Sequence, residues 1–442
     1  MLDLMKLARQ MQGISAHLTQ EAAAAGRRVA IAQDLLEQAT AVQGNLEVQL
    51  AAGRDRISFA VATPVEPLDQ RSTLEPAPEA HTVIATDGSQ ISPSHHEIAY
   101  CYLLNVGRVV LHYGQGRFPL LDSLPEVVYR PEDLYLSRQW GIRTEEWMGY
   151  RRTVAEAEAL ADLGEDLIVS APSQAIASQS AFPNRTGAAH LPRRGGSSAD
   201  PGSANSGSPN MTAAGTVTPV TPPQLALTDG SLIYWFLEDL PGEARDRILP
   251  PILAAWDRLR HLRLPLVGYI SASRSGEALN FLRLQACPYN TPDCLTHCPD
   301  RSDRAPCQPF DPLRDVALWA TRLEPGQRSP LWRSSADILS QYGEHTVYFC
   351  YVHVGAEVAR VEMPQWVALD HGLRDQALGM VLTQVQKGYG YPVALAEAHN
   401  QAVVRGGDRS RFFALLEREM IRAGLQNVGT SYKEARKRGS IA

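Results

Sequence analysis

Two stretches of this sequence repeat one pattern: Val83-Ile84-Ala85-Thr86-Asp87-Gly88-Ser89 and Leu225-Ala226-Leu227-Thr228-Asp229-Gly230-Ser231. Each opens with a short apolar run that reads as a buried strand. Each delivers an aspartate, then Gly-Ser, where glycine permits a sharp turn or a close approach to the backbone. After one strand, Asp-Gly is ordinarily just a turn. The repetition argues for more: if the two strands are neighbours, Asp87 and Asp229 sit side by side at one sheet edge. Two like charges ~4 Å apart repel by about 4 kcal/mol at an effective dielectric near 20. Such a pair persists by sharing a proton or by binding a cation. Clustered hard oxygen ligands suit Mg²⁺ or Mn²⁺, and carboxylate-held divalent ions are apparatus for phosphodiester cleavage.

Two further segments offer partners. Arg152-Thr-Val-Ala-Glu156-Ala-Glu158-Ala-Leu160 lies in a helical pattern from Thr144 to about Leu163. Glu156 stands four and seven residues before Leu160 and Leu163, so it belongs near the buried face, whereas Glu158 faces solvent. A helical glutamate is normally only a solvated charge. Near the C-terminus, Gly388-Tyr389-Gly390-Tyr391-Pro392-Val-Ala-Leu-Ala-Glu397-Ala-His399 breaks one helix and starts another. If Pro392 opens that helix, His399 falls two turns in, near the Leu395 face. Histidine is a metal ligand and proton carrier, although a satisfied structural histidine is the ordinary outcome.

Residues 1–57 carry apolar positions at spacings of three and four (Leu7, Met11, Ile14, Leu18, Ala22, Ala25, Val29, Ala32 and Leu36) with no proline, which predicts an N-terminal helical arm over 1–60. Its stripe packs on its own domain or on a partner. A Pro-rich connector spans 62–80. Tyr100–Tyr113 fits two short strands around a turn at Asn105–Gly107. Residues 171–224 are rich in Ser, Gly, Ala, Pro and Thr, with only Arg185, Arg193, Arg194 and Asp200 charged; they are expected to be disordered. Beyond them come a helix near 242–262, a strand at 266–272, a strand pair at 346–354 and 356–367, and helices near 373–386, 394–402 and 408–424. The alternation predicts α/β with a mixed sheet flanked by helices. The insertion does not divide domains, because the proposed site draws residues from both sides of it. One domain over 81–425 follows, with a basic tail at 426–442.

The composition agrees. Of 442 residues, 44% are hydrophobic and 20% charged, enough for a core, with a net charge of −6. That excludes a uniformly basic nucleic-acid coat but not a local basic groove; residues 401–442 hold nine Lys or Arg against four acids. No apolar run reaches a membrane span, and the N-terminus lacks the features of a signal peptide, so the chain reads as soluble and cytoplasmic.

Cys287, Cys294, Cys298 and Cys307 fall within 21 residues among prolines at 288, 292, 299 and 306. A metal would hold such a loop (287–312), typically tetrahedral Zn²⁺, with an iron–sulfur cluster as the lesser option; the bland alternative is four free thiols. Cys101 and Cys350 sit in apolar strands and read as core residues.

Taken together, these segments resemble NurA-domain proteins, nucleases of DNA-end processing. The resemblance runs from about Val83 to Phe413 on TDGS at 86–89, RTVAE at 152–156, TDGSLIYW at 228–235, GYISASRS at 268–275, EVARVEMPQWVA at 357–368 and GYGYPVALAEAHNQAVV at 388–404. It implies an RNase H-like fold with a Mn²⁺-dependent acidic site. Asp87, Glu156 and Asp229 would take the family's acidic positions, with His399 as a further ligand and Tyr391 beside the substrate phosphate. It also implies DNA as substrate, a homodimer, and a HerA-type hexameric ATPase as partner. Some family members carry Lys where this chain has Ser271 and Ser273, and Arg274 could substitute. Arg360 and Arg405 are weaker candidates for phosphate contacts, and Glu158 is a reserve for Glu156. The rival expectations are a catalytically weak scaffold for the ATPase and an RNA-directed nuclease.

Overall fold

The computed structural model describes residues 3–93, 100–169, 222–299 and 305–424. The predicted disordered insertion, except its last three residues, and the basic tail lie outside them. Helices α1 (Leu4–Gln10), α2 (Ile14–Ala41) and α3 (Gln43–Gly53) open the chain. Strands β1 (His81–Ile91), β2 (Tyr102–Tyr113) and β3 (Leu120–Val128) form an antiparallel meander. Helix α4 (Thr144–Val169) then leads toward β4 (Gln224–Asp229), α5 (Leu249–His261), β5 (Leu266–Ile270) and α6 (Glu277–Ala286). The hairpin β6 (Val347–His353) and β7 (Val358–Pro364) precedes α7 (His371–Lys387), α8 (Val393–Ala402) and α9 (Gly406–Arg422).

All seven strands join one mixed sheet in the order β6-β7-β5-β4-β1-β2-β3, extended beyond β6 by two-residue strands. Only β1–β4 and β4–β5 pair in parallel. The central strands are buried on both faces, as parallel strands covered by helices must be. Alternation assigns the faces. Ile84, Ala226 and Leu266 pack beneath α4 and α5 with Leu160, Trp256 and Leu259. Val83, Ala85, Leu225, Leu227 and Val267 face α7 and α8 with Leu378, Val381, Leu395 and Ala398. A third cluster seats Ala32, Leu36 and Ala39 of α2 and Leu46 and Leu50 of α3 against Phe281, Trp319, Phe349 and Tyr351. The arm's stripe therefore packs on its own domain in its second half, while Leu4, Met5, Met11 and Leu18 stay exposed.

Two expectations need correction. Tyr100–Tyr113 is not two strands around a turn: Asn105–Gly107 lies inside the continuous β2, with Gly107 opposite Asp87. Glycine is there for close approach, since a Cβ would strike the α8 backbone at Ala398 and Ala402. Strand β3 was not expected at all. It is a largely exposed edge strand carrying Asp122, Pro125 and Glu126, the polar and proline content that blunts an edge and hides it from an apolar-run reading.

Candidate active site

Parallel pairing of Thr86 with Thr228 puts the next residues, Asp87 and Asp229, together where β1 and β4 leave the core. Both share the alternation parity of the face that carries α7 and α8. There His399 donates from Nδ1 to Asp87 Oδ2 at 2.8 Å. Because a carboxylate only accepts, the bond fixes the proton on Nδ1 and leaves Nε2 free on a ring that is 66% exposed. The other Asp87 oxygen accepts the Gly88 N–H at 2.8 Å. The Tyr391 hydroxyl lies near enough to Asp229 to favour its charged form, and its ring meets Tyr269 edge-on at 5.7 Å.

Glu156 arrives from the opposite layer, on α4. Its route passes Gly88: a Cβ there would collide with Glu156 Oε1 and the Arg152 side chain. The glycine of the Asp-Gly-Ser motif is thus the gap through which the third carboxylate reaches the first two. Thr86 Oγ1 anchors the helix by donating to the Glu156 carbonyl at 3.0 Å. Glu158, two residues on, points to solvent.

The electrostatics show the crowding. Burial first, then Asp87 and Asp229, push the Glu156 carboxyl up to about 7, against the pull of Arg152. Asp229 is also raised, by desolvation and by Asp87, with the Tyr391 hydrogen bond and His399 opposing. Burial and Asp229 together push the Tyr391 hydroxyl upward, so it stays protonated as a donor. The compensating neighbours are few: His399 for Asp87, Tyr391 and His399 for Asp229, and Arg152 for Glu156 at 3.1 Å. The Arg152 contact is Coulombic, because its Nε makes no aligned hydrogen bond. Among the described residues, no three acidic, His or Cys side chains already surround a common point. The donor set nonetheless fits a hard divalent cation, since three clustered carboxylates are short of positive charge.

Charged side chains on β7 and α6 hold the β4 turn. Glu362 on β7 accepts from Ser231 Oγ and Leu232 N, each at 2.8 Å. Arg360, two residues earlier on the same strand face, pairs with Glu362 at 2.7 Å and Glu277 at 2.8 Å and stacks on Phe349. Arg360 is 2% exposed, so it cannot contact a phosphate as the sequence suggested; it holds the turn behind Asp229. Arg274 and Arg405 are at the surface. Ser271 donates to Glu357 at 2.6 Å and Ser273 is buried. Sequence reading missed Arg152 and Glu362. The visible signal for Glu362 was an Arg and a Glu at i and i+2 inside an otherwise apolar strand, which in a buried sheet implies an ion pair.

Helix α8 is held to the sheet by its last carbonyls. Asn105 Nδ2 donates to Ala402 O at 2.8 Å, and Ser89 Oγ donates to the same oxygen. Ser89 and Asn105 are paired across β1 and β2, so the Asp-Gly-Ser serine serves as anchor for the helix that bears His399. The turn before α8 is tight: Tyr389 and Gly390 have φ of 55° and 123°, and a Cβ on Gly388 would overlap the Tyr391 carbonyl.

The family model for the NurA domain matches residues 81–404. No curated protein matches. Among solved structures, the NurA nuclease from Sulfolobus solfataricus is similar at a TM-score of 0.47 and 10% identity, covering 97% of this chain and 99% of that one; a likeness that slight carries no argument by itself. The family match spans most of the chain and includes Asp87, Glu156, Asp229, Tyr391 and His399, and on it the chain belongs to the NurA domain family of nucleases.

Proposed function

We propose that this protein is a metal-dependent DNA nuclease that hydrolyses phosphodiester bonds in single-stranded DNA or at DNA ends, in double-strand-break repair or end resection. The observation that supports it best is the convergence of Asp87, Asp229 and Glu156, from two parallel strands and a facing helix, with too little positive charge beside them. The strand order supports an RNase H-like reading: an antiparallel meander whose first strand is continued by two parallel strands.

Asp87, Asp229 and Glu156 would hold Mn²⁺ or Mg²⁺, with His399 as the further ligand once its ring turns from Asp87 to the ion. Such an ion, when bound, lowers the pKa of a water and offsets charge on the leaving oxygen. Until then His399 Nδ1–H orients Asp87, the role a second hydrogen bond plays for any ligand group. Tyr391, kept protonated, stands beside Asp229 and would turn its O–H to donate to the scissile phosphate when substrate binds. Arg152 stands in for the cation at Glu156 and is the group displaced on binding. In the same reading the chain acts as a homodimer with a HerA-type hexameric ATPase as partner, and the exposed apolar end of the arm is surface free for such contacts.

The test is cleavage of end-labelled single- and double-stranded DNA, beside matched RNA, with Mn²⁺, Mg²⁺ or chelator. Cleavage should require the metal. Asp87→Ala and Asp229→Ala should each lower it at least about 100-fold with the circular dichroism and melting of the parent. Unchanged cleavage in both variants refutes the assignment, and equal cleavage of RNA refutes the DNA preference.

A further inference from the structure

The cysteine loop is remote in role from the acidic site, and nothing in the nuclease reading uses it. Cys287 ends α6 as its C-cap, and Cys294–His297 forms a single helical turn with Cys298 as its cap. Cys294 and Cys298 are therefore four apart on one helical face, and Cys298 N donates to Cys294 O at 3.0 Å. Together with Cys287 and Cys307 they line one small pocket closed by Pro288, Tyr289 and Pro306. None of the four is joined in a disulfide. His297 is engaged elsewhere, its ring stacked on Tyr289 at 4.0 Å.

One buried group points to what the pocket takes. Arg283, on α6, is 7% exposed. Its guanidinium lies 3.3 Å over the Phe59 ring and donates to Cys307 Sγ at 3.5 Å, while its Nε has no hydrogen-bond partner. Among the described residues no carboxylate pairs with it. A buried cation with no counter-charge among the described residues is costly, and the group it touches here is one of the thiols, Cys307, able to become a thiolate.

We propose that Cys287, Cys294, Cys298 and Cys307 form a structural Zn²⁺ site. Four thiols release four protons as the ion binds, leaving a centre of net charge −2. Arg283 is the cation placed to offset that charge. As the side chains stand, no three of the described residues encircle an ion; the four thiols share the wall of one pocket, and binding would require their side chains to turn into it. The site's effect is mechanical. Arg56, just beyond α3, donates to Asp293 at 2.6 Å and Thr296 at 2.8 Å, and Gly53 lies so close to the Pro292 carbonyl that a Cβ would sit 2.8 Å from it. The ion thus ties α6 to the end of the arm.

The test uses the full-length protein and needs no nuclease activity, so it stands apart from the acidic-site reading. Elemental analysis after zinc-supplemented expression should give close to one Zn per chain. Cys294→Ser/Cys298→Ser should lose it, and metal-stripped parent should regain it on titration with Zn²⁺. Titration with Co²⁺ should produce a thiolate charge-transfer band in the parent only. Less than about 0.2 Zn per chain, iron with acid-labile sulfide in place of zinc, or pairwise disulfides in protein alkylated without reductant would each overturn the proposal.

Discussion

At the scale of single residues, Glu156 is where function and stability pull apart. Its carboxyl is pushed from the ordinary 4.5 up to about 7, burial being the main cause. Between those two values the unfolded chain gives up its proton while the folded chain keeps it. Stability therefore falls as pH rises through that window, by about 2 kcal/mol once complete, after allowing for the quarter of the side chain that is exposed. Glu156→Gln removes this loss. In chelator, its melting temperature should match the parent at pH 4.5 and exceed it at pH 8, while cleavage is lost. A difference independent of pH would show that burial does not raise this carboxyl.

At the scale of elements, α8 is useful only because it lies flat on β1 and β2. Gly107→Ala places a methyl against the helix backbone, an overpacking cost of about 1–3 kcal/mol. The helix can relieve it only by moving away, and it carries His399. Urea melts should show a modest loss and cleavage a much larger one; a loss of cleavage no greater than the unfolded fraction explains would count against this role. The β7 element acts from behind the site. Glu362→Ala leaves Arg360 with one carboxylate fewer and Leu232 N unpaired, a change of about 3–5 kcal/mol for a buried pair, whereas Glu362→Gln keeps an acceptor for Ser231 and Leu232. Glu362→Gln should therefore retain more of both stability and cleavage than the alanine variant. Equal effects would mean that the charge, not the acceptor, matters.

At the scale of the whole molecule, the arm is two things joined end to end. Up to about residue 24 it is almost wholly exposed, and from Ala32 it is part of the third core cluster. Removing residues 1–24 should leave the melting temperature within about 3 °C. Removing 1–41 uncovers Phe281 and Trp319 and strips Leu36 from the core, at about 1.5–3 kcal/mol for that side chain alone. Both truncations are checked by calorimetry, and an equal loss from both would contradict this division. No helix of the described residues is long and apolar enough to cross a membrane.

How much of this was written in the chain follows from which forces are local. The two aspartates, the facing glutamate and the histidine were legible because strand and helix periods are local and short motifs repeat. The mixed sheet was legible for the same reason, as were the hairpin at Gly355 and the helix opened by Pro392. The edge strand β3 was not, because an exposed strand has no apolar period to display. Asn105–Gly107 read as a turn because a glycine's purpose depends on what lies above it, and here that is a helix about 290 residues away in the chain. Arg360 read as a surface cation because nothing local reports burial, which is set by β5, β6 and α6 closing around it. The sequence by itself determined which carboxylates meet, through two matching strands and one helical face. The tertiary structure alone decided how they meet: through the gap at Gly88, with His399, Tyr391 and Arg152 as their partners. Those contacts join residues far apart in sequence, and only the packing of both layers onto the sheet fixes their distances.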